Sequence, residues 1–242
     1  MNRPGALATA ALVVMMGMAT GGRAAVVRIP ASHDNTLYAP AADTLSSNGS
    51  GPYLFAGRNG QGNVRRALLF FPVADSLPAG AIIDSVELRF TVSQVSNATP
   101  RSLLVRRVLA SWGEGGSSAP GGAGARPEPG DATWQHRFFP GDEWTNPGGD
   151  LAPLPSAASD PGVAGLHVLE GPGLVADVAG WLDAGINAGW AVLGDEFEDN
   201  SARRINSREN AGSDTRPELV VIYRLPGSPI RAATWSRIKT HL

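Results

Sequence analysis

Carboxylates and amides gather in two stretches of the chain: Asp34-Asn35 near its start, and Asp195, Glu196, Glu198, Asp199 and Asn200, followed by Glu209, in its last third. Calcium takes about six to eight hard oxygen ligands from such side chains and from backbone carbonyls. Asp34, Asn35, Asp195, Glu198, Asp199 and Glu209 are therefore the expected ligands of a calcium site, provided the fold brings chain start and chain end together. No EF-hand spacing is present, and the same residues also read as a turn-forming Asp-Asn pair and a solvated acidic loop. A further reading makes Ser207-Arg208-Glu209 a structural ion pair, with Arg208 gripping Asp34 or Glu209 through its planar fork. Arg203 and Arg204 would then screen the acidic loop.

The tryptophans offer a second kind of chemistry. Sugar rings present apolar C–H faces that stack on exposed aromatics, while neighbouring Asp, Asn and Arg bond the hydroxyls. Trp112, Trp134 and Trp144 are the candidates for carbohydrate binding. Against this stands the reading that each pins a Gly-rich loop onto the body of the protein. Trp181 and Trp190 read as core.

Catalysis has little to stand on. His33, His136, His167 and His241 are not spaced as zinc ligands on one helix, and neither a G-x-S-x-G elbow nor a glycine-rich phosphate loop occurs. Glu114 and Glu209 form a separated carboxylate pair of the kind glycosidases use, but any acidic protein of this size offers such pairs. The absence of cysteine excludes disulfides and thiol chemistry.

The elements that must position these residues are mostly strands. Val86, Leu88, Phe90 and Val92 alternate with Ser85, Glu87, Arg89 and Thr91, the period-two pattern of a half-buried strand. Short apolar runs at Val26–Ile29, Tyr53–Phe55, Ala67–Phe71, Leu103–Leu109, Leu166–Leu169, Trp190–Leu193 and Leu219–Tyr223 are bounded by turn formers and read as further strands. The last is apolar throughout, as a central strand covered on both sides would be. One stretch has helical spacing, with Leu174, Val175, Val178, Trp181 and Leu182 on a face and Gly185 placed to stop it. Residues 111–161 form a long Gly/Pro-rich excursion holding Trp112, Trp134, Phe138, Phe139 and Trp144. The expected fold is all-β: a two-sheet antiparallel β-sandwich, jelly-roll-like, with one short helix and this long loop.

Arg3 followed by the apolar run Ala6–Thr20, with Gly22 and Ala24 ahead of Ala25, reads as a signal peptide over residues 1–24. Its removal takes two arginines and no acid, leaving 18 basic against 22 acidic residues and a formal charge of −4. No basic patch suits a nucleic acid, and no spanning segment is expected after cleavage. The expected organisation is signal peptide 1–24, β-sandwich domain 25–226 and flexible tail 227–242.

Several pieces of the chain, in order, carry a resemblance: Asp34-Asn35-Thr36-Leu37-Tyr38, Arg66 to Phe71 with Leu77-Pro78-Ala79-Gly80-Ala81, Ser111-Trp112-Gly113-Glu114-Gly115, and Asp131-Ala132-Thr133-Trp134. They continue with Trp181-Leu182, Gly189-Trp190, Ser207-Arg208-Glu209 and Arg216-Pro217-Glu218-Leu219. Over almost the whole mature length the chain resembles the DNRLRE domain family of secreted and surface proteins, which is similar to family-96 carbohydrate-binding modules. Thr36 and Tyr38 stand where the namesake motif has arginines and Ala39 where it has glutamate, so the roles of those side chains do not carry over. The resemblance implies a jelly-roll β-sandwich, non-catalytic, secreted or at the cell surface, with polysaccharide as a partner. The expected function is a secreted, surface-associated binding module for extracellular polysaccharide. The alternatives are an adhesive or structural spacer without a small ligand and, with least support, a polysaccharide-degrading enzyme.

Overall fold

The computed structural model describes residues 24–40 and 45–226. The expected signal peptide, Ala24 apart, and the expected tail 227–242 lie outside the described residues. Thirteen strands run in chain order: β1 Ala25–Pro30, β2 His33–Tyr38, β3 Tyr53–Arg58, β4 Val64–Phe70, β5 Ile82–Val95, β6 Leu103–Arg107, β7 His136–Phe138, β8 Asp142–Glu143, β9 Ala157–Ser159, β10 Gly165–Glu170, β11 Trp190–Leu193, β12 Arg203–Asn206 and β13 Glu218–Arg224. A single turn of helix, α1 (Val73–Ser76), follows β4, and α2 (Pro172–Ala184) follows β10.

Eleven strands pair antiparallel in the order β1-β13-β5-β12-β3-β4-β11-β6-β9, with β10 also on β5 and β2 also on β4. β7 and β8 form a small second sheet. The main sheet curls at β3. Its first residues, Tyr53–Ala56, pair with β12, whereas Gly57 and Arg58 pair with β4. Gly57 adopts φ 108°, a conformation that a side chain resists, and a Cβ there would meet the Ala202 backbone at 3.0 Å.

Curling brings alternate side chains from both halves of the sheet into one core. Val86, Leu88, Phe90 and Val92 of β5 meet Leu219 and Val221 of β13, Leu69 of β4, Trp190 and Val192 of β11, and Leu103 and Val105 of β6. The expected alternation on β5 is present, because Glu87 and Arg89 point away from this core and pair with each other. The helix α2 presents Leu174, Val178 and Trp181 to the same core and ends on Gly185 in the left-handed conformation, whose N–H bonds Trp181 O.

A second core lies on the opposite face of β2, β4 and β11. It joins Leu37, Leu68, Ala191 and Leu193 to Val108, Ala132, Ala188 and Trp144. The 111–161 excursion thus covers the back of the sheet as an ordered layer, tied by the bridges Ser47↔Ala125 and Val108↔Leu151. This explains the unbroken apolar runs of β4 and β11, which are buried on both faces. On β13 the two-sided burial is confined to Leu219–Val221. None of the described helices is long and apolar enough to cross a membrane.

Candidate functional site

Three carboxylates far apart in sequence converge where β2, the excursion and the turn after β12 meet. Ligand oxygens of Asp34, Glu114 and Glu209 lie within 4.8 Å of one another, the one such acidic group among the described residues. Asp34 and Glu209 belong to the expected metal set; Glu114 does not, and was weighed only as half of a glycosidase pair. Gly49 permits the approach of the Glu114 strand, since a Cβ at that position would stand 1.7 Å from Glu114 O.

One arginine serves all three acids, two through its guanidinium and Asp34 through its backbone N–H. Arg208 forks onto Glu114, Nε to Oε1 and Nη2 to Oε2, each at 2.6 Å, and its Nε stands 2.8 Å from Glu209 Oε1. The Arg208 backbone N–H donates to Asp34 Oδ2 at 2.7 Å, and the Asp34 N–H donates to Glu114 Oε1 at 2.8 Å. The expected ion pair of Arg208 with Glu209 is present at 2.8 Å, while the two-pronged grip of the fork goes to Glu114, whose two oxygens match its geometry, and Asp34 is held through the Arg208 backbone N–H. Asp34 is fully buried, and its Oδ1 meets no donor; both Glu209 oxygens are also buried without a hydrogen bond. Burial first, and then the charge of Glu209, raises the Asp34 carboxyl well above its ordinary range. Burial likewise raises Glu209, against the pull of Arg208.

The other expected ligands are elsewhere. Asn35 Oδ1 already accepts from Thr36 N–H, Ser47 Oγ and Asn48 N–H, and its Nδ2 donates to Glu114 O. This amide is a structural hub with no lone pair left for a cation. Asp195, Glu198 and Asp199 do not join Asp34. Asp34 is in register with Leu69 and so with Trp190, and Asp195 lies five residues beyond Trp190, about 16 Å along the strand direction. There each acid finds its own base: Asp195 with Arg101 at 3.2 Å, Glu196 with Arg66 at 2.7 Å and Asp199 with Arg58 at 2.9 Å. Glu198 is exposed.

Arg203 and Arg204 both sit in β12, where the charge of Asp195 acts on Arg203. Arg203 is completely buried, its guanidinium donating to the carbonyls of Thr99, Pro161 and Ser201. Arg204 lies over the Tyr53 ring at 4.1 Å and bonds Ser93 Oγ.

The three candidate sugar-stacking tryptophans turn inward. Trp144 is 4% exposed and donates its indole N–H to Thr133 O, so it is a core residue. Trp134 is half-buried, with the Arg66 guanidinium over its ring at 4.8 Å. Trp112 is half-buried and bonded to Ala188 O. Trp112 also lines a cavity of about 240 Å3 together with His33, Phe70 and Asn187.

A different surface is open. On the outer face of β3, β12 and β5, Phe55, Arg204 and Gln94 form one cross-strand row. They floor a cleft of about 420 Å3 whose walls include Asn59 and Gln61 of the β3–β4 turn, Arg65, Ser96 and the Pro120–Ala123 segment of the excursion. No carboxylate among the described residues lines it. No sequence motif marks it, since it is made of cross-strand neighbours whose register follows only from the pairing. No protein-family model matches the chain, and no curated protein matches its sequence.

Proposed function

We propose that this chain is a secreted, non-catalytic module of jelly-roll β-sandwich type that binds an extracellular polysaccharide, as the resemblance to DNRLRE domains and family-96 carbohydrate-binding modules implies. The observation that carries the reading is the cleft on β3, β12 and β5. It has the volume of a small-ligand site and sits on paired strands, so its groups are held rigidly. It offers amide, hydroxyl and guanidinium groups, the partners of sugar hydroxyls, with an aromatic floor and, among the described residues, no acid to repel a charged sugar. The cluster around Arg208 does not favour hydrolysis. Glu114, which a glycosidase reading would need, is locked by both oxygens to a guanidinium and to the Asp34 N–H, so neither oxygen is open to a substrate.

The test is a glycan array on the mature protein, followed by affinity electrophoresis with Arg204→Ala and Gln94→Ala. A defined polysaccharide should bind, and Arg204→Ala should weaken it at least about tenfold, as expected for loss of a charged bond inside a cleft, without a comparable loss in Trp134→Ala. If no polysaccharide is retained, the module is a spacer, a role that the inward-turned tryptophans suit.

A further inference from the structure

We propose that Asp34, Glu114 and Glu209 together bind one calcium ion, which fastens β2, the 111–161 excursion and the turn at Ser207–Glu209 into a single unit. The inference goes beyond the glycan-binding reading and stands or falls independently of it.

Two separate observations lead here. One is charge: three carboxylates face one guanidinium, leaving a formal −2 in a largely buried site. A single divalent cation neutralises it. The other is the state of the oxygens. Asp34 is fully buried, yet its Oδ1 has no donor, and of the two buried Glu209 oxygens only Oε1 has a charged partner, Arg208 Nε at 2.8 Å. Buried anionic oxygens without partners are strongly disfavoured. No His lies in the cluster and the chain has no Cys, so the donor set consists of hard oxygens alone, which selects calcium or magnesium over zinc.

Geometry favours calcium. The ligand atoms lie within 4.8 Å of one another, close enough to share one calcium ion, whose opposite oxygens stand about 4.6–5.2 Å apart. Calcium accepts a bidentate carboxylate such as Glu209 and an irregular shell. Magnesium demands about six near-octahedral ligands and retains its waters, and these oxygens are closed to solvent. Asp34 Oδ1 and Glu209 Oε2 are the oxygens without a partner, and Arg208 holds Glu114 and Glu209 Oε1 beside them. The Arg208 N–H, donating to Asp34 Oδ2, and the Glu209 N–H, donating to Ser207 Oγ, fix both ligand residues in place before a cation arrives.

The experiment uses the mature chain stripped with chelator. Titration calorimetry and thermal melting are run with calcium and with magnesium, on wild type, Glu209→Gln and Asp199→Asn. Calcium at about 1 mM should bind with heat and raise the Tm by about 5–10 °C, the shift expected for a ligand at about 100 times its Kd on a domain of this size. Magnesium should give a smaller shift. Glu209→Gln, which keeps the side chain's shape, should still fold and weaken calcium at least tenfold, while Asp199→Asn should leave the affinity unchanged. The proposal is overturned if stripped protein shows neither heat nor a melting shift with calcium, or if Glu209→Gln binds as tightly as wild type. Loss of binding in Asp199→Asn alone would also overturn it, by placing the ion in the other acidic loop.

Discussion

The molecule has two acidic regions built on opposite principles. In the loop from Asp195 to Asp199 the acids are contiguous in sequence and at least partly solvated, and three of them have an arginine each: Arg101, Arg66 and Arg58. Around Arg208 the acids come from positions 34, 114 and 209, are largely buried, and share one arginine. Three of the four acids in the conspicuous loop are therefore paired one for one, with Glu198 exposed, whereas the dispersed cluster has one arginine for three carboxylates. The density of carboxylates in a sequence says little about where uncompensated charge will stand, because pairing depends on which arginines the strands bring alongside. Arg66 reaches Glu196 from β4, and its own neighbour Arg65 faces the other way, toward Gly122 O.

The sharpest way to break the comparison is to remove the shared cation. Arg208→Ala takes the fork from Glu114 and leaves three carboxylates facing one another, whereas Arg58→Ala exposes a single acid to water. Loss of one partner from a buried ion pair costs about 3–5 kcal/mol. Arg208 is 37% exposed in its side chain, so the lower end, about 3 kcal/mol, is the expected loss in urea melts of metal-free protein, against less than about 1 kcal/mol for Arg58→Ala. Comparable losses in the two variants would show that the Arg208 cluster is as well solvated as the loop. Calcium cannot rescue Arg208→Ala fully, since the fork also orients Glu114.

Much of the strand framework could be read from the sequence, because β5, β11 and β13 carry their burial in apolar spacing, as does α2. Other elements could not. β2 is His-Asp-Asn-Thr-Leu-Tyr and buries five of its six residues, using hydrogen bonds to the excursion where other strands use apolar contacts, and no hydrophobic period reports that. β12 hides a fully buried arginine whose partners are carbonyls from residues 99, 161 and 201, a solution that composition does not signal. The site was half legible. Asp34 and Glu209 stood out as acids near chain start and chain end, but Glu114 comes from within a Gly-rich segment where only tertiary pairing identifies its partner. The tryptophans were misleading for the converse reason: a Gly/Pro-rich stretch with aromatics looks like a binding loop until the bare outer face of β4 and β11 is seen to need covering.

A smaller effect separates the two regions by their response to pH. Burial, and then Glu209, raise the Asp34 carboxyl, and burial raises Glu209. In the unfolded chain both ionise at ordinary values, so between the two sets of pKa values the folded protein keeps protons that the unfolded chain has lost. Stability from these groups is complete below the unfolded values and is lost as pH rises through the folded ones. Asp195 runs the other way. Burial pushes it up, but the N–H groups of Phe197 and Glu198 and the charge of Arg101 outweigh that and hold it below the usual range. Its contribution is present above the unfolded value and disappears only as pH falls through the folded one. Metal-free protein should therefore melt higher at about pH 5 than at about pH 8, a window above the ordinary carboxylate range. Asp34→Asn should flatten that slope, and an Asp195→Asn variant should keep it. Saturating calcium should remove the slope or reverse it, since protons and metal then compete for the same oxygens. A slope unchanged in Asp34→Asn would trace it to other groups.

The smallest expected effect is the control on which the comparison rests. Asp199 is more than half exposed in its side chain, and its pairing with Arg58 is solvated. Arg58 has other partners, donating to Gly62 O from Nε and to Phe197 O from Nη1, so the guanidinium stays fixed when the acid is removed. Exposed pairs of this kind contribute about 0.2–1 kcal/mol, screened further by salt. Asp199→Ala should therefore shift the urea midpoint by no more than about 0.5 kcal/mol, and that difference should shrink as salt is raised, because the Debye length falls to about 3 Å at 1 M. Arg208→Ala in the same salt series should keep most of its cost, since its acids are shielded from solvent ions. If the two variants lose their effects together as salt rises, the cluster at Asp34, Glu114 and Glu209 is open to water, and the one-for-one loop and the shared-cation site are then the same kind of surface.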